Sequence, residues 1–167
     1  MTCSEPHRIL VGYDGSRASR AALAWAEATA RERNACLTVV TVMTPAWYGA
    51  CWPGISIAPT GAELERAAAK LLHEAIDQLA PDLSVTSRIL AGPVGAALAK
   101  AARCHDCDVI VLGRPRRALR PWPSPIERYL RRHCDIPVIP VTVPGQEAMS
   151  PAPAPEPSVP ATIHPAI

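Results

Sequence analysis

Short runs of consecutive apolar residues alternate along this chain with longer stretches in which apolar residues recur every three or four positions. The first run, Arg8-Ile-Leu-Val-Gly-Tyr13, ends in Asp14-Gly15-Ser16, which reads as a turn into a helix. Ser16 is placed to cap that helix, and the spacing carries it to residue 33 with Ala22, Leu23, Ala26 and Ala30 on one face. Cys36 to Met43 is a β-branched run bounded by Asn34 and Pro45, a buried strand. Thr60-Gly-Ala-Glu63 has the form of a capping box. Behind it Leu64, Ala67, Ala68, Leu71, Leu72, Ala75, Ile76 and Leu79 keep helical spacing up to Pro81. Ser84 to Leu90 is a third strand, and Val94, Ala97, Leu98 and Ala101 mark a third helix. Asp108 to Gly113 is a fourth strand, about 125 to 133 a fourth helix, and Pro137 to Val143 a fifth strand.

Strict alternation of strand and helix predicts an α/β fold. Parallel neighbours need crossover connections, so the five strands form a parallel sheet with helices on both faces. Residues 1–143 make one such domain. Residues 144–167 break the pattern: seven of these 24 positions are proline and apolar periodicity disappears, the composition of a disordered or polyproline-like tail.

Composition narrows the setting. The chain has 167 residues, 49% of them hydrophobic, with no phenylalanine, so Val, Leu, Ile and tryptophan supply the bulk of the core. A net charge of +2 gives no global argument for nucleic acid or membrane. No stretch approaches the roughly 18 apolar residues of a membrane span, and the first apolar run is too short for a signal peptide. The expectation is a cytoplasmic protein whose six cysteines are reduced thiols.

In open parallel sheets ligands bind beyond the carboxyl ends of the strands. Two such ends carry glycine and polar residues: Gly12-Tyr13-Asp14-Gly15-Ser16, and Gly113 with the loop that follows it. The residues Ile9-Leu-Val-Gly-Tyr-Asp-Gly-Ser16, Asp108-Val-Ile-Val-Leu-Gly113, Arg128-Tyr-Leu-Arg-Arg-His133 and Ile136-Pro-Val-Ile139 together resemble the universal stress proteins, over residues 8–143. The resemblance implies strand order 3-2-1-4-5, a homodimer through the last strand, and a stress-response binding or regulatory module that is not an enzyme. One branch of that family binds ATP, with a loop of Gly, two residues, Gly, nine residues, Gly and Ser or Thr. Residue by residue, the resemblance places Gly12, Asp14, Val42, Gly113, Arg116 and Ser124 at the nucleotide, with Asp14 ending the first strand and Val42 packing on adenine.

The loop departs from that pattern. Arg116 stands at the second glycine, and the final Gly-Ser pair falls on Ser124-Pro125, two residues early. Phosphate cradles use glycine so that backbone N–H groups approach the anion. Ser124-Pro125-Ile126-Glu127 instead reads as a complete capping box with proline at the first helical position and a negative charge in the first turn. Against this, residues 113–133 hold seven arginines and one acid, and guanidinium groups bind phosphate without a glycine loop. Two readings stay open: a solvated basic face beside a degenerate ATP loop, or a nucleotide or other anion held by arginines. Nucleic acid is the weaker partner for that charge, and Trp122 between Pro121 and Pro123 is expected to cover the sheet end.

A third reading is a thiol or metal protein through Cys104-His-Asp-Cys107. That pair lies at a helix end, where the dipole disfavours a thiolate, and no second pair with zinc spacing exists. No Gly-x-Ser-x-Gly elbow and no Walker lysine motif appear. Asp14 has no basic partner nearby in sequence, and capping its own turn is its other role. Pro140 removes one donor from the last strand and so bears on the dimer.

Overall fold

The computed structural model describes residues 8–44, 60–114 and 123–143. Among these residues five strands, β1 (Arg8–Gly12), β2 (Cys36–Met43), β3 (Val85–Ala91), β4 (Val109–Arg114) and β5 (Val138–Thr142), alternate with four helices. The helices are α1 (Arg17–Arg33), α2 (Gly61–Asp77), α3 (Val94–Cys104) and α4 (Pro125–His133). Every strand pair is parallel, and the sheet order is β3-β2-β1-β4-β5, the order that the resemblance implies. The third, fourth and fifth strands begin one residue later than the sequence pattern suggests.

Local chemistry explains the elements. Ser16 accepts a hydrogen bond from the Ser19 N–H and starts α1, and Asn34, in the left-handed region at φ 54°, ends it. Thr60 and Glu63 form both halves of the capping box that starts α2. Two apolar clusters lie on opposite faces of the sheet. On one face α1 and α2 bury Ala22, Ala26, Ala30, Leu72 and Ala75 against Ile9, Val11, Leu37, Val39 and Val111. On the other, α3 and α4 bury Leu98, Ala102 and Leu130 against Leu10, Val40 and Ile110.

Gly113 shows how closely α1 lies on the sheet. A Cβ there would overlap the backbone of Ala18 and Ser19. Glycine is therefore required at the end of β4 by helix packing, whatever the loop beyond it binds. Gly95 does the same between α3 and α4, where a Cβ would stand 2.7 Å from the Tyr129 ring.

Among the described residues β3 and β5 are the edge strands. The Pro137 carbonyl accepts from the Ile110 N–H, so odd-numbered residues of β5 turn their backbone groups toward β4. Pro140 belongs to the opposite set. Its missing N–H costs the sheet no bond and leaves a gap in the outward row of donors.

Candidate functional site

Past the sheet's carboxyl edge, the ends of β1, β2 and β4 and the starts of α1, α3 and α4 enclose a cavity of about 310 Å³. That volume is at the small end of ligand pockets. Its apolar walls come from Val40, Val42, Leu98 and Leu112, and its polar groups include Asp14, Ser16, Thr44 and Ser124.

The position of Asp14 follows from the backbone before it. The Tyr13 N–H donates to the Val40 carbonyl at 2.8 Å, and the buried Thr41 hydroxyl donates to the Tyr13 carbonyl at 2.9 Å. These bonds pin Tyr13 to β2, so the chain leaves the sheet at Asp14. Gly15 then takes φ +76°, a left-handed conformation that suits glycine. The Ser16 N–H donates to Asp14 Oδ1 at 2.9 Å, so Asp14 does cap its own turn. Partial burial works to raise the Asp14 pKa. The hydrogen bonds from the Ser16 and Ser19 hydroxyls and the Ser16 N–H outweigh it, and the carboxyl is held below its ordinary range. Asp14 is thus an anion on the cavity wall with its turn already fixed.

Ser19 was not legible as a site residue. It is buried, lines the cavity, and its hydroxyl donates to the Ser16 carbonyl at 3.0 Å. The signal was a polar residue on the otherwise alanine-rich buried face of α1. Val40 was missed too, although it lies two residues before Val42 on the same face of its strand.

Of the residues that the resemblance nominates, Gly12, Asp14, Val42, Gly113 and Ser124 all line this one cavity. Arg116 lies outside the described residues, as do Arg117, Arg120, Trp122 and the tail. The other arginines of the stretch do not line the cavity. Arg114 ends β4, and Arg128, Arg131 and Arg132 stand exposed on α4.

The start of α4 differs from its expected form. Ser124 Oγ accepts from the Glu127 N–H at 3.1 Å, which is half of a capping box. Glu127 does not return the bond. Its carboxylate is buried and meets Arg131 at 2.6 Å, one turn along the helix. The negative charge expected beside a bound phosphate is therefore turned away from the cavity and neutralised. The other two features persist: Ser124 occupies one N–H of the first turn, and Pro125 has none to offer.

The cysteine pair has no such setting. Cys104 is exposed at the end of α3, whereas Cys107 is buried and donates a weak hydrogen bond to the His105 carbonyl at 3.9 Å. Burial, with the Asp108 charge adding to it, pushes the Cys107 thiol up to about 11. Among the described residues no three of His, Cys, Asp and Glu gather as a metal site would need. Nor is any described helix long and apolar enough to cross a membrane.

A five-stranded parallel sheet with a cavity where its strand order reverses defines a doubly wound α/β domain. The family model of the universal stress proteins matches residues 6–142, and the chain belongs to that family. Solved structures share the fold. A universal stress protein family member from Burkholderia pseudomallei is 23% identical, with TM-score 0.64 over 83% of this chain and 97% of that one. A universal stress protein in complex with cAMP is 21% identical, with TM-score 0.62 over 83% and 98%. A family protein from Arabidopsis thaliana with AMP bound is 15% identical, with TM-score 0.60 over 87% and 98%. No curated protein matches the chain by sequence.

Proposed function

We propose that this protein is a non-enzymatic binding module of the stress-response type, and that it takes an adenine mononucleotide in the cavity beside Asp14. The observation that carries the reading is the convergence of Gly12, Asp14, Val42, Gly113 and Ser124 on one cavity, although they are spread over more than a hundred residues. The apolar walls around Val42 and Leu98 suit a flat base, and the Asp14 carboxylate suits ribose hydroxyls or a base amine. Structural relatives with cAMP and AMP bound support this ligand class.

An extended triphosphate fits less well. Arg116 replaces the middle glycine of the loop, and the first turn of α4 offers an anion fewer free N–H groups. ATP is therefore expected to bind no more tightly than AMP. The described cysteines are free thiols, in keeping with a cytoplasmic setting. Pro140 counts against a homodimer paired through β5, because its gap lies in the outward row.

Thermal unfolding with adenosine, AMP, cAMP and ATP, with and without magnesium, tests the reading. A ligand at a hundred times its dissociation constant adds about 2.7 kcal/mol. A rise in Tm with AMP or cAMP that is lost on Val42→Glu is the expected result. No rise with any adenine ligand at millimolar concentration overturns it.

A further inference from the structure

The helices α3 and α4 carry an uneven charge. Together they hold Lys100, Arg103, Arg128, Arg131 and Arg132 against one acid, Glu127. Glu127 is buried and spends its charge on Arg131. Among the described residues no acid lies within ion-pair distance of Lys100, Arg128 or Arg132. The segment between β4 and α4 contains no acid either. The net charge of the chain is only +2, so this excess is local and not a consequence of overall basicity.

Packing fixes the direction of these side chains. Burial of Leu98, Ala99 and Ala102 leaves Lys100 and Arg103 exposed on α3, and burial of Leu130 leaves Arg128 and Arg132 exposed on α4. Gly95 admits the Tyr129 ring between the two helices and holds them close. Arg103 Nη1 donates to the His133 carbonyl at 3.1 Å. A guanidinium thus covers the carboxyl end of α4, where the helix dipole would otherwise repel an anion.

We propose that the outer face of α3 and α4 binds an acidic, extended segment of another protein, with Lys100, Arg103, Arg128 and Arg132 as its cations. Arg128 and Arg132 stand one turn apart, about 6 Å along the helix axis. Alternate side chains of an extended peptide leave one side at about 7 Å intervals, so two carboxylates in that pattern meet both guanidinium groups. A single-stranded nucleic acid fits less well, because it needs open aromatic faces for its bases. The Tyr129 ring is already stacked on His133, with centroids 4.2 Å apart, and its root lies on Gly95. A membrane surface fits less well too. Tyr129 and Trp25 are the exposed large apolar side chains among the described residues, and Trp25 lies on α1, across the sheet.

Fluorescence anisotropy at low ionic strength, with the full chain and a labelled peptide carrying glutamate at every second position, tests this. Binding is expected, and it weakens as added salt screens the charges. Arg128→Ala combined with Arg132→Ala lowers affinity about tenfold or more, and Lys100→Ala lowers it several-fold. Arg20→Ala combined with Arg66→Ala removes the same charge from exposed positions on α1 and α2, across the sheet, and leaves affinity within about twofold. No binding at millimolar peptide overturns the proposal. Equal losses in the two double variants overturn it as well, because net charge alone would then account for binding. Tighter binding of a single-stranded oligonucleotide of equal charge, lost with Arg128 and Arg132, assigns the face to nucleic acid and overturns it.

Discussion

The carboxylate of Glu127 meets the guanidinium of Arg131 at 2.6 Å within α4, with the glutamate buried and the arginine largely exposed. This pair removes a negative charge from the site where a ligand's phosphate would approach. It also makes one arginine of the basic stretch a structural residue. Arg131→Ala is expected to lower stability by about 1–2 kcal/mol, because it leaves a buried carboxylate without its partner while solvent screening limits the loss. Denaturant unfolding reads the change. AMP affinity, measured by calorimetry at a temperature where the variant is folded, should also fall, since the Glu127 charge near the start of α4 is no longer neutralised.

Asp14 carries a prediction with two readouts. Asp14→Asn retains an oxygen for the Ser16 N–H, so the turn survives and stability near neutral pH changes little. Ligand affinity should fall about tenfold if the carboxylate holds ribose or base. The pH dependence has a definite sign. The folded carboxyl has a lowered pKa, so it contributes stability above its unfolded value and loses it as pH falls through the folded value. Any stability advantage of wild type over Asp14→Asn should therefore shrink as pH falls below the ordinary aspartate range. Parallel Tm curves for the two proteins would show that Asp14 gains nothing from its hydrogen bonds.

The order of elements was legible because each one carries its own period. The α1 face of Ala22, Leu23, Ala26 and Ala30 is buried as its spacing implies, and Thr60-x-x-Glu63 caps α2 from both sides. Such features are local, and local features survive in a sequence. The cavity was legible only in part, because its walls come from six elements whose approach no local pattern encodes. Val42 was found through the resemblance, whereas Leu98 read as an ordinary position on a helix face and Ile126 only as part of a helix cap. The partner of Glu127 illustrates the same limit. Ser-x-x-Glu suggested a reciprocal cap, but Arg131 lies one turn on and offers the carboxylate a charge-assisted bond that a backbone N–H cannot match.

Cys107 and Cys104 should react very differently. The buried Cys107 thiol is pushed up to about 11, whereas Cys104 is exposed. A thiol reagent at pH 8 is expected to label Cys104 quickly and Cys107 only on unfolding, as peptide mapping after timed quenching will show. Stability also follows from the shift. Between 9.0 and about 11 the unfolded chain releases the Cys107 proton and the folded chain does not, so the fold loses stability as pH rises through that window. Cys107→Ala should remove that part of the alkaline slope. Rapid labelling of Cys107 in the native state would contradict its burial.

Gly113 separates packing from ligand chemistry. The glycine motif of the family reads it as the first residue of a phosphate loop, but a Cβ here overlaps the backbone of Ala18 and Ser19. The methyl group has no flexible side chain to displace, so α1 must move away from β4. Gly113→Ala is expected to cost about 1–3 kcal/mol, the range for overpacking in a close-packed interior. Because Ser19 and Asp14 share a hydrogen-bond network at that helix start, the displacement reaches the cavity wall. The variant should bind AMP more weakly even where it is fully folded. Gly12→Ala is the control. Its Cβ meets only the ends of Leu112 and Leu98, which can turn aside, so its stability loss should be the smaller of the two. Equal losses at both positions would mean that the contact between α1 and β4 does not decide the need for glycine at 113.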